Sequence, residues 1–189
     1  ESEEAVQTLV ANLEELTALE WGYHISEHAV GNASGMEYYA FVWREDTVSF
    51  LEPVGFFDDP EDVIKREPYG ANFQMGEFDF TLVAFHQRCG KNLAVRRAEA
   101  SHFAQIIEYF QAANGDENDV LIGGDFNLPG DDYSFTAVGW NGVTYSVDPE
   151  QATSIGAEGL SNPFDNIFYQ SQYTTELKNH GVLDFTKGN

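Results

Sequence analysis

Positive charge is what this sequence has least of. Nine lysines and arginines stand against 32 aspartates and glutamates, giving a formal net charge of −23 over 189 residues. Such a field repels a polyanion everywhere except where cations gather locally. Cysteine is nearly absent: Cys89 stands alone, which excludes an internal disulfide, so a place outside the cell would have to be tolerated without cross-links. Between Arg88 and Gly90, Cys89 reads as a small loop or core residue rather than a nucleophile. No apolar run reaches the roughly 18 residues that a membrane-spanning helix needs. The chain opens on Glu1, Ser2, Glu3 and Glu4, with no starting Met and no signal-peptide pattern. The expectation is a soluble domain, a processed or excised product, for which an extracellular or periplasmic place stays open. The acidic excess with four lysines also fits salty surroundings.

What is present suffices for one core. Hydrophobic residues make up 42% of the chain and aromatic ones 14%, so residues 1–189 read as a single domain. Ser2 is a good N-cap for a helix to about Leu19, with Glu3 and Glu4 in its first turn and Val6, Leu9, Val10, Leu13 and Leu16 at helical spacing. Strands are expected over Trp21–Ser26, Glu37–Trp43, Val48–Leu51 (pairing with the strand before it), Tyr69–Gln74 and Phe78–His86. The last two form a hairpin turning at Met75 to Glu77. A second helix is expected from Arg97 to Ala112, ended by Asn114 and Gly115, followed by strands at Val120–Ile122, Thr144–Ser146 and Asn166–Tyr169. Many short strands and two substantial helices indicate a layered α+β or α/β domain.

The strongest chemical signal is the octapeptide from Val120 to Asn127, in which a buried strand runs through Gly123 and Gly124 into Asp125, Phe126 and Asn127. Strand alternation would turn Asp125 and Asn127 to one side and Phe126 into packing. A carboxylate and an amide so placed suit phosphoryl transfer: one holds a metal or orients a water, the other donates to a phosphate oxygen. The same octapeptide equally fits a junction in which both residues only make Asx turns. Its company decides: an apolar strand ends at His86, a residue type that moves protons near neutrality, with Arg88 and Lys91 just after it. Glu37, after a Gly-flanked loop, could orient that histidine. Six of the nine cations lie between Lys65 and Arg97 and so bracket this region.

On these residues the chain resembles the endonuclease/exonuclease/phosphatase superfamily, and in particular its deoxyribonuclease I-like branch. The resemblance runs through Tyr23 to Glu27, Gly31 and Asn32, Glu37 to Arg44, Arg66 to Pro68, the strand ending at His86, Gly124 to Asn127, and Phe164 to Ile167, in the same order. It implies an α+β fold, a four-layer α/β/β/α sandwich, here incomplete at both ends. By position, Asp125 and Asn127 match metal and phosphate residues, with Asp125 as metal ligand. His86 matches a catalytic acid or base oriented by Glu37, Asp165 an acid that orients a second histidine, and Arg66 an arginine near the bound phosphate. The implied cofactor is Mg2+, with Ca2+ or Mn2+ as alternatives.

The chain departs from the family in lacking the initial strands with an Asn and a Gln-Glu pair, and the final Ser-Asp-His. His180 lies too early for that histidine and reads as a loop residue. The expectation is therefore a core fragment, inactive or badly impaired by itself. The loop Asn32, Ala33, Ser34, Gly35, Met36 also lacks the Arg and Tyr that enter a DNA minor groove in this branch, which puts the grip on duplex DNA in doubt. Three readings follow: a divalent-metal nuclease acting on DNA or RNA, a hydrolase of a small or lipid phosphoester, and a non-catalytic binding domain that keeps the fold.

Overall fold

Aromatic and β-branched runs separated by turn residues build two facing sheets in the structure, a computed structural model that describes residues 2–33, 35–113, 115, 118–135 and 142–184. The elements are α1 (Ser2–Thr17), β1 (Trp21–Ile25), β2 (Ala40–Arg44), β3 (Ser49–Phe56), β4 (Tyr69–Met75), β5 (Phe78–Ala84), α2 (Leu93–Ala100), α3 (Phe103–Ala113), β6 (Val120–Asp125), β7 (Val143–Tyr145), β8 (Ile155–Gly156), β9 (Gly159–Leu160) and β10 (Asp165–Gln170). The main sheet has the order β3-β4-β5-β6-β10-β7 and is antiparallel except for the central β5–β6 pair. The α2–α3 segment makes the crossover between those two parallel strands, as a parallel pair requires.

Alternation along the strands sorts side chains into two cores. Val83, Val120, Ile122 and Phe168 face α2 and α3, where Phe103, Ile106, Ile107 and Phe110 pack with Phe85, Phe126 and Phe135. Tyr69, Ala71 and Phe73 face the other way, onto Tyr39, Phe41 and Trp43 of the β1–β2 segment. α1 packs on β1. The layers are thus α2/α3, the six-stranded sheet, β1–β2, and α1, the α/β/β/α sandwich of deoxyribonuclease I-like type. Among the described residues, the second core draws on β3, β4 and β5 but not on β6, β10 or β7. The face of that half is open, with Ile167 44% exposed.

Three expectations need correction. β3 does not pair with β2: it pairs with β4 in the main sheet, while β2 pairs with β1. Phe50 still meets β2, but across the layers, stacked on Trp43 at 5.3 Å and 13°. Sequence proximity to an aromatic strand therefore reflected face-to-face packing and not edge pairing. The expected Arg97–Ala112 helix is two helices broken at Ser101 and His102. Asn92 starts the first, its side chain accepting from Ala94 N, and Ser101 diverts its hydroxyl to Ala98 O at 2.6 Å. Glu37 precedes its strand, meeting Val30 in an isolated bridge before β2 begins at Ala40. The hairpin at Met75 to Glu77 forms as expected, with Gly76 at φ 65°. Asn114 lies outside the described residues, as do Ser34 and residues 185–189.

Phe168 is fully buried against Phe103, Phe126 and Phe135, with ring centroids 4.6 to 4.9 Å away. Phe168→Ala is expected to cost roughly 3–5 kcal/mol, read as a lower urea midpoint. Leu183→Ala, at an 81% exposed site, should stay within about 0.5 kcal/mol; equal losses would contradict this placement of the core.

Candidate functional site

The site forms where the parallel strands β5 and β6 end together. Their pairing continues past the end of β5: Phe85 N donates to Gly123 O and Gln87 N to Asp125 O, both at 3.0 Å. This fixes the backbone on both sides of His86. Gly124 permits the approach. It has φ 152°, and a Cβ there would stand 1.9 Å from Phe85 O, a clash with backbone that cannot rotate away.

After Asp125 the pleat stops. Asn127 has φ 51°, and its N–H donates to Asp125 Oδ1 at 2.8 Å. The Asp125 side chain therefore closes an Asx-type turn on the Asn127 backbone, and strand alternation does not set the direction of Asn127. The Asn127 amide is 9% exposed and donates to Gln87 O at 2.9 Å, tying the β6 turn to the loop after His86. Arg96 supports the same turn from α2 through a hydrogen bond to Asn127 O.

His86 and Glu37 meet, as expected from the sequence: Nδ1 lies 2.5 Å from Glu37 Oε2. A carboxylate only accepts, so Nδ1 carries the proton and Nε2 is left for chemistry. Both side chains are about a third exposed, 33% and 37%. Arg66 is 2% exposed; its Nε donates to His86 O at 2.8 Å and its Nη2 to Gln87 O at 3.0 Å, with Nη1 3.5 Å from Glu37 Oε1. It thus clamps both members of the pair. Tyr39 completes the support, accepting from His86 N at 3.2 Å and donating to Arg66 O at 3.4 Å. Burial holds the Tyr39 phenol far above its ordinary pKa, so it remains a neutral hydroxyl.

Asp165 stands opposite Asp125 in the β10–β6 register. Its Oδ2 accepts from Ser154 at 2.6 Å and Thr153 at 3.1 Å, which are its hydroxyl partners here. Burial pushes the Asp125 carboxyl above its usual range; the Asn127 N–H counters this, the Asp165 charge adds to it, and His86 and Arg66 oppose it. The expected residues Glu37, Arg66, His86, Asp125, Asn127 and Asp165 thus lie around one strand-end cluster. Both aspartates border an open recess of about 880 Å³ along the exposed faces of β6 and β10, which exposed His180 also lines. Gln87, Thr153 and Ser154 went unrecognised in the sequence, and Tyr39 and Arg96 entered only within the resemblance and the cation cluster, because each acts through the partner that folding brings to it.

Two half-buried carboxylates form a hard-oxygen donor set, and Mg2+ is commonly held through one or two carboxylates with water and phosphate filling its remaining positions. Asp125 and Asp165 are groups of the kind that could contribute to holding such an ion. Among the described residues, no group of three or more His, Cys, Asp or Glu could hold a metal.

The raised Asp125 pKa has a stability consequence whose sign is fixed. The folded state binds this proton more tightly than the unfolded chain, so stability is lost as pH rises from the unfolded value, near 3.8, through the folded one. Asp125→Asn keeps the acceptor for Asn127 N and removes that loss. It is expected to raise the melting temperature at neutral pH, with the gain vanishing below the unfolded pKa. A gain independent of pH, or a lower melting temperature at neutrality, would contradict the burial of this charge.

No family model matches the chain. Over 190 residues it is 27% identical to a deoxyribonuclease of Thioalkalivibrio sp., covering 96% of this chain and 51% of that protein. Over 126 residues it is 26% identical to deoxyribonuclease-1-like 2 of Mus musculus, covering 65% and 43%. The chain spans about half the length of these curated relatives. Among solved structures, an endonuclease/exonuclease/phosphatase family protein from Bacteroides thetaiotaomicron superposes with TM-score 0.58 at 18% identity, covering 85% of this chain and 64% of that one. The chain has the fold of the endonuclease/exonuclease/phosphatase superfamily, and its sequence resembles the deoxyribonuclease I-like branch.

Proposed function

We propose that the chain carries the reacting centre of a divalent-metal-dependent phosphodiester hydrolase, a nuclease acting on DNA or RNA. The observation that carries this reading is the His86–Glu37 pair, held by buried Arg66 beside the half-buried Asp125. Hydrolysis needs a proton taken from the attacking water and one delivered to the leaving oxygen as the P–O bond breaks. His86 delivers through Nε2, while Glu37 at Nδ1 stabilises the imidazolium and fixes the ring. Asp125, presented beside His86 where β5 and β6 end together, orients the water and takes its proton. Asn127 holds the turn that presents Asp125, and Arg66 adds positive charge beneath a bound phosphate. A bound Mg2+ supplies charge neutralisation at the phosphoryl oxygens. Similarity to two deoxyribonucleases supports the choice of a nucleic-acid substrate.

Activity of these 189 residues alone is proposed to be weak. Among the described residues His86 is the one histidine hydrogen-bonded to a carboxylate, and Asp165 is occupied by hydroxyls. A second reading keeps the same groups for a small or lipid phosphoester. The recess beside Asp125 and Asp165 favours it, since Leu121, Ile167, Leu177 and Val182 give it apolar walls that suit an acyl or aryl body.

Cleavage of plasmid and of a labelled oligonucleotide, with millimolar Mg2+ or Mn2+ against EDTA, tests the proposal. Slow metal-dependent nicking is expected, reduced by about 10² or more in His86→Ala and by less in Glu37→Gln. Undiminished nicking by His86→Ala would sink the assignment. Hydrolysis of an aryl phosphodiester without any nucleic-acid cleavage would select the second reading, and a wild type inert on both would leave a binding domain that keeps the fold.

A further inference from the structure

Three of the nine cations, Lys65, Arg88 and Lys91, line a single groove of about 320 Å³, and no Asp or Glu is among its described lining residues. In a chain with 32 acids, a groove lined by three cations and no carboxylate is set apart, with Asp59, Asp62 and Glu67 confined to the recess on the other side of Lys65. Neither lysine ammonium has a hydrogen bond or ion pair among the described residues. Arg88 is held through Nε alone, 3.1 Å from Glu99 Oε2. Glu99 itself is 1% exposed at its side chain and accepts from Lys65 N at 2.8 Å and Arg88 N at 2.6 Å. One buried carboxylate on α2 therefore pins together the backbones of the two loops from which the cations project.

These loops also build the strand-end site. Lys65 precedes Arg66, which clamps His86 O, and Arg88 follows His86 by two residues, a span of at most about 7 Å. Phosphates recur every ~3.4 Å of axis along a nucleic-acid strand, so a strand placed at His86 meets the groove within one or a few phosphates. The adjoining loop from Gly31 to Met36 has neither a cation nor an aromatic ring with which to reach a second strand.

We propose that the Lys65–Arg88–Lys91 groove binds the sugar–phosphate backbone of a single nucleic-acid strand next to the reacting phosphate. The site rests on the nuclease reading for its substrate, but its test involves no turnover. Anisotropy of a fluorescein-labelled oligothymidylate, measured in EDTA over a series of salt concentrations, compares wild type, Lys65→Gln, Lys91→Gln and the double variant with Arg44→Gln. The last removes one charge from a surface pair with Asp46. Three contacts on a single strand give a slope of log K against log salt of about −2, and the double variant should flatten it by about 1.4. Its affinity should fall at least about fivefold, each single variant should fall partway, and Arg44→Gln should match wild type. Unchanged affinity in the double variant, an equal loss in Arg44→Gln, or no binding by wild type at low salt would overturn the groove. Equal displacement by polyglutamate would overturn the nucleic-acid assignment in favour of an acidic protein partner. Groove-dependent binding without any cleavage would count against the hydrolase and leave the groove standing, whereas cleavage with unaltered binding would do the reverse.

Discussion

The close approach of β5 and β6 beyond their ends is the constraint on which the site depends. Two hydrogen bonds, from Phe85 N to Gly123 O and from Gln87 N to Asp125 O, carry the parallel pairing through His86. They exist because Gly124 has no Cβ to meet Phe85 O. Everything chemical hangs on that seam: the imidazole comes from one strand end, the carboxylate from the other, and Asn127 and Arg66 tie the two turns together through the Gln87 and His86 carbonyls. Shifting either strand would move the His86 imidazole and the Asp125 carboxylate apart.

Positive charge is scarce enough that its use can be followed residue by residue. Arg66 is spent inside, where its guanidinium fork satisfies two carbonyls and faces Glu37, a geometry that a lysine could not reproduce. Arg97 pairs bidentately with Asp132 and lies over the Tyr133 ring at 4.6 Å, locking α2 to the turn after β6. Arg96 braces the Asn127 turn. Three of the six cations between Lys65 and Arg97 thus hold backbone or loops in place, and the other three line the groove. The cluster that looked in the sequence like one basic patch is divided, by the partners each cation finds, into staples and a groove lining.

The site holds charge at a cost in stability. Burial and the Asp165 charge across the β10–β6 pair both raise the Asp125 pKa, while the aromatic cluster around Phe126 and Phe168 lies directly beneath. Phe126 stands between Asp125 and Asn127 in the chain, fully buried, and anchors the strand end from which both polar residues project. Hydrophobic packing on one side of β6 offsets electrostatic strain on the other. This is a common arrangement where function and stability compete.

Much of this protein was legible from its sequence: the apolar alternation of β4, β5 and β6, the turn at Gly76, the first helix, the layered α+β class, and the meeting of Glu37 with His86. Those features depend on local period and on residue types at strand ends, which a linear chain carries in full. Only the tertiary structure decided the rest. It placed β3 in the main sheet and not beside β2, because Phe50 satisfies Trp43 across a layer as well as along an edge. It split the second helix at Ser101, and turned Asn127 by a positive φ where alternation would have carried it straight on. It buried Arg66 and left Lys65 partly exposed, although they are neighbours. Burial and the partners a side chain meets are set by what folds over a residue from elsewhere in the chain.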